Sequence, residues 1–309
     1  MSGNKFNRQY ILRAELEQVG GAKEWIEISY PTTLEFSITR NYLASTNTAN
    51  FTLYNLGPQT RGRLFKEPWD VDISRMRAVQ LFAGYSEFPS DLLPRCFNGT
   101  IKKASSYRSG PDFRTVIEAF DGMVSMGGEK EIPTMPPGSS QKDMIKNIAS
   151  SLDGVKAVTL GDRYTQYSNR ATALMGDPMD MLQQLSSGEF FIDSQGAYAL
   201  AKDEVVEGDI RLINSDNGLL GTPKKSETMV EIDMLFEPRI KPAQLLELQS
   251  STADRFDGVY KVTGIIHRGV ISGSTCGDCR TSLTLVLLPS YTVKYDNNTN
   301  EYRAVPSGN

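Results

Sequence analysis

In Leu34, Glu35, Phe36, Ser37, Ile38 and Thr39, apolar and polar side chains alternate one for one. Successive side chains of a strand point to opposite faces, so this run turns Leu34, Phe36 and Ile38 toward a core and the polar three toward water. Residues 50–56, NFTLYNL, repeat the pattern and are ended by Gly57 and Pro58. Residues 10–16, 79–85, 97–102 and 114–120 read as further strands. Five or more strands punctuated by Gly, Pro and Asn predict a barrel or sandwich up to about Gly122.

Beyond that point the period changes. After Pro136, Pro137 and Gly138, Ser139 and Ser140 are placed to cap a helix carrying Met144, Ile145, Ile148, Ala149 and Leu152 at helical spacing, with Gly154 closing it. Asp177 at a cap and Pro178 in a first turn start a second helix bearing Met181, Leu182 and Leu185. A hairpin follows, with Phe190, Phe191 and Ile192 before a turn at Ser194, Gln195 and Gly196, and Tyr198, Ala199 and Leu200 after it. Seven of the eleven methionines fall in this segment: Met123, Met126, Met135, Met144, Met175, Met179 and Met181. Their flexible thioethers suit either gap filling in a small core or an adaptable contact surface.

From about Asp209 the two-residue period returns, at 229–236 (MVEIDMLF), 244–248, 259–266 and 281–288. The two β regions align in order. Residues 97–101 (FNGTI) match 262–266 (VTGII), separated by 165 positions from Gly99 to Gly264, and VQLFAGY at 79 matches QLLELQS at 244. RTVIEAF at 114 matches RTSLTLV at 280. Two readings fit: a chance likeness of two all-β segments, and two copies of one small barrel around a helical insert. The polar residues after Pro289 read as a tail ending in a mobile segment.

The 309 residues include 33 Lys and Arg against 37 Asp and Glu, a net charge of -4, so no basic excess marks a phosphate-binding surface. No apolar run approaches the eighteen or so residues of a membrane span, and MSGNKFNRQY lacks an apolar signal core, so folding in a cytosol is expected. The single histidine, His267, leaves little room for histidine-based metal or triad chemistry, and no nucleotide-binding or hydrolase motif is present.

Cys276-Gly-Asp-Cys279 is the one spacing that looks chemical. With Cys96 and His267 it would supply four metal ligands, and as a dithiol it would want a helix after Cys276. Gly273, Ser274, Thr275, Gly277 and Asp278 instead predict a thiol pair in a hairpin loop. His267, at a strand end beside Arg268, reads as structural. The pairs Glu15 with Glu17 and Glu231 with Asp233 lie two apart on strands, on faces read as solvated, which is the wrong setting for a glycosidase acid. Lys102, Lys103 and Arg108, near Tyr107, read as a solvated loop rather than a nucleic-acid patch. No residue is assigned to catalysis, cofactor or metal; Cys276 and Cys279 are the only candidates.

Several stretches resemble phage tail baseplate hub proteins of the contractile-tail type. FSITR and STNTANFTLYNLG (within 36–57), VQLFAGY (79–85), CFNGTIKKASSYRSGPDF (96–113) and VIEAFDG (116–122) resemble their N-terminal region. INSDNGLLGTPKKSETMVEIDMLFEPRIKPAQLLEL (213–248) and GVYKVTGIIHRG (258–269) resemble their second half. The resemblance implies a mainly β chain with an α+β insert: tube-like β-barrel domains at 1–122 and 209–290, a helix and hairpin module at 123–208, and a polar tail at 291–309. It further implies a homotrimeric ring joining a hexameric tail tube to a central spike, in contact with other baseplate proteins. Such a ring is a virion component assembled in the host cytoplasm, with no enzyme activity and no cofactor, and DNA passes through it without specific binding. A tail-borne cell-wall hydrolase and a barrel-type nucleic-acid binder are the alternatives.

Overall fold

A computed structural model describes residues 7–16, 24–42, 47–68, 76–86, 92–121, 136–152, 155–167, 169, 177–252, 254–274, 277–289, 291–296 and 301–306; side chains of 207–209 and 292–306 are outside the description. The chain opens with β1 (Arg8–Glu15), β2 (Trp25–Ser29), β3 (Leu34–Asn41), β4 (Thr48–Tyr54), α1 (Pro58–Leu64), β5 (Ala78–Tyr85), β6 (Arg95–Ser109) and β7 (Asp112–Phe120). The insert holds α2 (Gln141–Ser151), β8 (Ala157–Leu160), α3 (Pro178–Leu185), β9 (Phe190–Asp193) and β10 (Gly196–Ala199). Then come β11 (Val206–Ile213), β12 (Leu219–Ser226), β13 (Met229–Leu235), β14 (Gln244–Leu248), β15 (Gly258–Ile271), β16 (Cys279–Leu287), β17 (Tyr291–Asp296) and β18 (Glu301–Pro306). The fold is mainly β with a small helical insert.

Period-two patterning is realised as read: β3 buries Leu34, Phe36 and Ile38, and β4 buries Ala49, Phe51 and Leu53 against them. The strands of the first half run β3-β4-β7-β6-β5-β1-β2, and those of the second run β12-β13-β16-β15-β14-β11. Strand for strand the order is the same, with β2 extra. One pairing differs in sense, since β1 lies antiparallel to β5 whereas β11 lies parallel to β14.

A shared irregularity sets the register. β6 carries one extra residue, Lys102, against the step from Ala119 to Glu118 of β7, and β15 carries one, Thr263, against the step from Leu285 to Thr284 of β16. Aligned on these bulges, Ile101 matches Val262, Ala104 matches Ile265, Ile117 matches Leu283 and Ala119 matches Leu285, all buried. The sequence pairing of Gly99 with Gly264 is therefore displaced by four positions.

Each half wraps its own apolar cluster. The first contains Leu12, Phe36, Phe51, Leu81, Phe97 and Ile117, and the second Ile232, Leu248, Val262, Leu283 and Leu285. The first sheet curls back on itself, since the Tyr10 hydroxyl on β1 donates to Thr32 O, 2.8 Å away at the start of β3. The halves are not separate sheets: β15 pairs antiparallel with β3 from Gly264 opposite Asn41 to Ile271 opposite Leu34, giving one 13-stranded sheet.

In the insert, Ser140 caps α2 by accepting from Asp143 N at 3.1 Å, and Asp177 caps α3 by accepting from Met179 N at 2.7 Å. The proposed stop at Gly154 lies outside the described residues. Ser194 and Gln195 have φ of 51° and 73°, the left-handed pair that a tight β9–β10 hairpin needs. The sequence reading missed β8, which is only four residues long and pairs parallel with β10. Of the module's methionines, Met144 and Met181 are buried and Met179 is half-buried; the others lie outside the described residues. For these three, gap filling replaces the adaptable surface. In the tail, β17 and β18 pair antiparallel, Tyr291 opposite Pro306 through Asp296 opposite Glu301, and the expected mobile end lies outside the described residues.

Candidate functional site: a buried polar joint

Period two carries Arg40 onto the same face of β3 as Leu34, Phe36 and Ile38, which forces a charge into the interior. Its partner comes from the insert. Arg40 Nε and Nη2 donate to the two carboxylate oxygens of Asp193, at 2.7 and 2.5 Å, and Nη1 donates to Ile240 O at 3.1 Å. Burial works against the guanidinium charge, but the Asp193 carboxylate outweighs it and holds the proton more firmly than usual. A bidentate fork satisfies both partners geometrically.

Asn47 and Asp121 complete the joint. Asn47 Nδ2 donates to Ile192 O at 3.1 Å and lies 3.2 Å from Asp193 Oδ1 and 3.4 Å from Asp121 Oδ2, while its Oδ1 accepts from Asn41 N at 3.0 Å. Asp121 Oδ2 accepts from Ser194 N at 2.6 Å. Burial, then the neighbouring Asp193 charge, pushes the Asp121 carboxyl up to about 6, against the pull of Ser194 N–H, Asn47 and Arg40. The β9–β10 turn is thereby held to β3, β4 and β7 of the first half and to the approach of β14 in the second.

A second charge fixes the other side of the insert. Lys261 on β15 is 1% exposed, and its Nζ donates to the carbonyls of Ala201, Lys202 and Glu204 at 3.0, 3.3 and 2.6 Å while lying 3.9 Å from the centre of the Tyr42 ring. Burial lowers its pKa to about 8, opposed by Glu189, Asp203 and Glu204. Tyr42 donates its hydroxyl to Leu200 O at 2.7 Å and packs edge-on against Phe191.

His267 lies mid-strand in β15 rather than at its end, fully buried between the halves, with Phe236 edge-on at 5.6 Å. Thr281 Oγ1 accepts from Glu237 N at 3.0 Å and shares a hydrogen bond of 2.8 Å with His267 Nδ1. Burial, then Arg40, lowers the imidazole pKa to about 3, leaving it neutral.

The cysteine reading needs correction. Cys279 is the first residue of β16 and is buried in the first core rather than in a turn; Cys276 lies outside the described residues. Cys96 is also buried, and its thiol donates to Ala83 O at 3.6 Å. Burial pushes both thiols up to about 12, the opposite of a reactive or ligating setting. Among the described residues no three His, Cys, Asp or Glu side chains are grouped to hold a metal.

Other sites move as well. Glu15 is buried and accepts from Ala78 N at 3.0 Å, so its face is not solvated; Glu17 lies outside the described residues. Glu231 is exposed and Asp233 half-buried, as expected of a solvated face. Lys102, Lys103 and Arg108 belong to β6, which runs on to Ser109, and not to a loop: Lys102 lies over the Phe120 ring and Lys103 beside Glu118. Arg40, Asn47, Asp121, Asp193 and Lys261 were missed. A signal for Arg40 was present, a charge in phase with the buried positions of its strand.

These joints define a class, a rigid building block in which polar side chains lock a module to two like halves. Solved structures with a similar fold include tail proteins. The chain is similar to the 43 kDa tail protein of prophage MuSo2 from Shewanella oneidensis (TM-score 0.59, 11% identity, covering 91% of this chain and 97% of that one). It is also similar to the tail protein from Neisseria meningitidis MC58 (0.57, 10%, 90% and 96%). A third is the E. coli c3393 protein, a type VI secretion component described as similar to the T4 tail proteins gp27 and gp5 (0.55, 11%, 89% and 76%). No curated protein matches by sequence. The model of the baseplate hub gp41 family matches residues 12–268, and the chain belongs to that family. It is a structural component of a phage tail baseplate.

Proposed function

We propose that three copies form a hub ring, each contributing two equivalent β units, so that six units meet a hexameric tail tube on one side while threefold symmetry meets a central spike on the other. The observation that carries this reading is the repeated strand order, β3-β4-β7-β6-β5-β1 and β12-β13-β16-β15-β14-β11. A chain with two like units turns a threefold ring into six similar positions. The bulge shared by β6 and β15 supports true equivalence of the units.

The role is structural rather than enzymatic. The buried charges Arg40, Asp193 and Lys261 are engaged in internal joints, and Cys279 is buried in the first core. The ring partners the tube protein, the spike and other baseplate proteins, assembles in the host cytoplasm, and lets DNA pass without specific contacts, in keeping with the net charge of -4. The boundaries proposed for the units are 1–122 and 209–290, with the module at 123–208.

Density of an assembled tail tip tests the reading. Three copies presenting six like units around one axis is the expected result; any other copy number refutes it. Turnover of peptidoglycan by the purified chain would favour a tail-borne hydrolase instead.

A further inference from the structure

The chain contains two Asn-Gly pairs, Asn98-Gly99 and Asn217-Gly218. An Asn followed by Gly is open to spontaneous deamidation, because the residue after it has no Cβ to shield its backbone nitrogen. In that reaction the Gly nitrogen gives up its proton to water and bonds to the Asn side-chain carbonyl carbon. The bond from that carbon to the side-chain nitrogen breaks, ammonia leaves, and a five-membered succinimide remains. Water then opens the ring at either carbonyl. One opening gives Asp; the other gives isoaspartate, in which the main chain runs through the former side chain and is one carbon longer. Both products carry a negative charge that Asn lacks. Water is the only co-reactant, and nothing is oxidised or reduced.

The fold treats the two pairs differently. Asn98, in β6, is 4% exposed, and its Oδ1 accepts from Gln80 Nε2 at 2.9 Å. Ile101 N donates to Arg77 O at 2.7 Å, so by the two-residue alternation of the ladder Gly99 N faces Val79, which lies opposite it on β5. Phe120 O would lie 2.4 Å from a Cβ at Gly99, so the backbone there is also closely covered. Ring closure at this pair requires the sheet to open first.

Asn217 is exposed, in the turn between β11 and β12. Asn214 shapes that turn: its Oδ1 accepts from Asp216 N at 3.1 Å and Asn217 N at 2.9 Å, and its backbone oxygen accepts from Leu219 N at 2.9 Å. Between Asn217 and Leu219, the Gly218 N–H meets no acceptor among the described residues. Gly218 has a φ of 106°, a conformation that favours glycine, so the turn itself calls for the residue that leaves the nitrogen unshielded. Asn217 Nδ2 donates to Leu212 O at a long 3.3 Å.

We propose that Asn217 is a site of spontaneous deamidation and that the sheet protects Asn98. The change falls at the start of the outer strand β12. Leu219 N donates to Asn214 O across the turn, and Leu235 N on β13 donates to Gly218 O at 2.8 Å. A new charge next to Asp216, and in isoaspartate an added main-chain carbon inside the loop that the first bond closes, weaken both bonds. The modification is governed by time and pH, and it holds whether or not the chain forms a ring.

Folded full-length chain aged at mildly alkaline pH, and a parallel sample aged in urea, are digested and mapped by mass, with fragmentation separating Asn217 from Asn214. Conversion reads as a gain of about 1 Da, split between Asp and isoaspartate forms. In the folded chain Asn217 should convert at least about tenfold faster than Asn98, and in urea the two should convert at similar rates, since local opening alone separates them. Asn217→Gln, which would need a six-membered ring, should stay unmodified. Hydrogen exchange at the Leu219 and Leu235 amides should quicken by about threefold or more in aged wild type and stay constant in aged Asn217→Gln. Folded chain that keeps Asn217 intact while the urea sample reacts, or that converts Asn98 as fast as Asn217, would overturn the assignment. Unchanged exchange at Leu219 and Leu235 after full conversion would overturn the effect on β12.

Discussion

Arg40 grips both carboxylate oxygens of Asp193, at 2.7 and 2.5 Å, with each side chain only 4% exposed, across 153 residues of sequence. A buried pair gains little over an apolar pair of the same shape, but either partner alone is left as an uncompensated charge. Arg40→Met should therefore cost about 3–5 kcal/mol in urea unfolding, and Asp193→Leu a similar amount. The double variant should recover most of that loss. If the single variants unfold at the wild-type midpoint, the pair does not hold the insert.

Asp121 gives the same joint a pH dependence of known sign. Its carboxyl titrates at about 6 when folded and near 3.8 when not, so between those values the folded chain binds the extra proton and gains stability as pH falls. Above about 6 the full cost of the buried charge is present. Wild type measured against Asp121→Asn should gain about 1 kcal/mol between pH 7 and pH 5. A gap that is flat or moves the other way would show that Asp121 is not a strained carboxylate.

Gly99 and Gly264 sit on equivalent strands but not in equivalent surroundings. A Cβ at Gly99 would lie 2.4 Å from Phe120 O, a backbone atom held in the sheet, whereas at Gly264 the nearest atom is Thr284 Oγ1 at 3.2 Å. Gly99→Ala is expected to cost upward of about 2 kcal/mol and Gly264→Ala less than about 1 kcal/mol. Denaturation of the two variants side by side checks the order, and equal losses would refute it.

A thiol pair in a turn would tolerate serine, but the structure places Cys279 elsewhere. With Cys279 1% exposed in the first core, Cys279→Ser buries a hydroxyl and should lower stability by about 1–2 kcal/mol, more than Cys279→Ala. Thermal melts of the two variants test this. Stoichiometric zinc in the purified chain, lost together with its fold on chelation, would restore the metal reading instead.

Local pattern was enough for most of the strands, though not for β2, β8, β11, β12, β17 or β18, and for the two helix caps and the β9–β10 turn, because alternation, Ser140 and Asp177, and the turn at Ser194 and Gln195 act over a few residues. It was also enough for two like β regions in the same order. It was not enough for their register, since the extra residues Lys102 and Thr263 are visible only against a partner strand. Nor could it show that β15 joins β3, that Arg40 finds Asp193, or that Lys261 finds three carbonyls, for these contacts span 57 to 237 residues and depend on which faces meet after the sheet has curled. Periodicity states which side chains must be buried. Only the tertiary fold decides what they are buried against, because desolvated charges and open backbone edges are satisfied by partners that the chain brings together late and from far away.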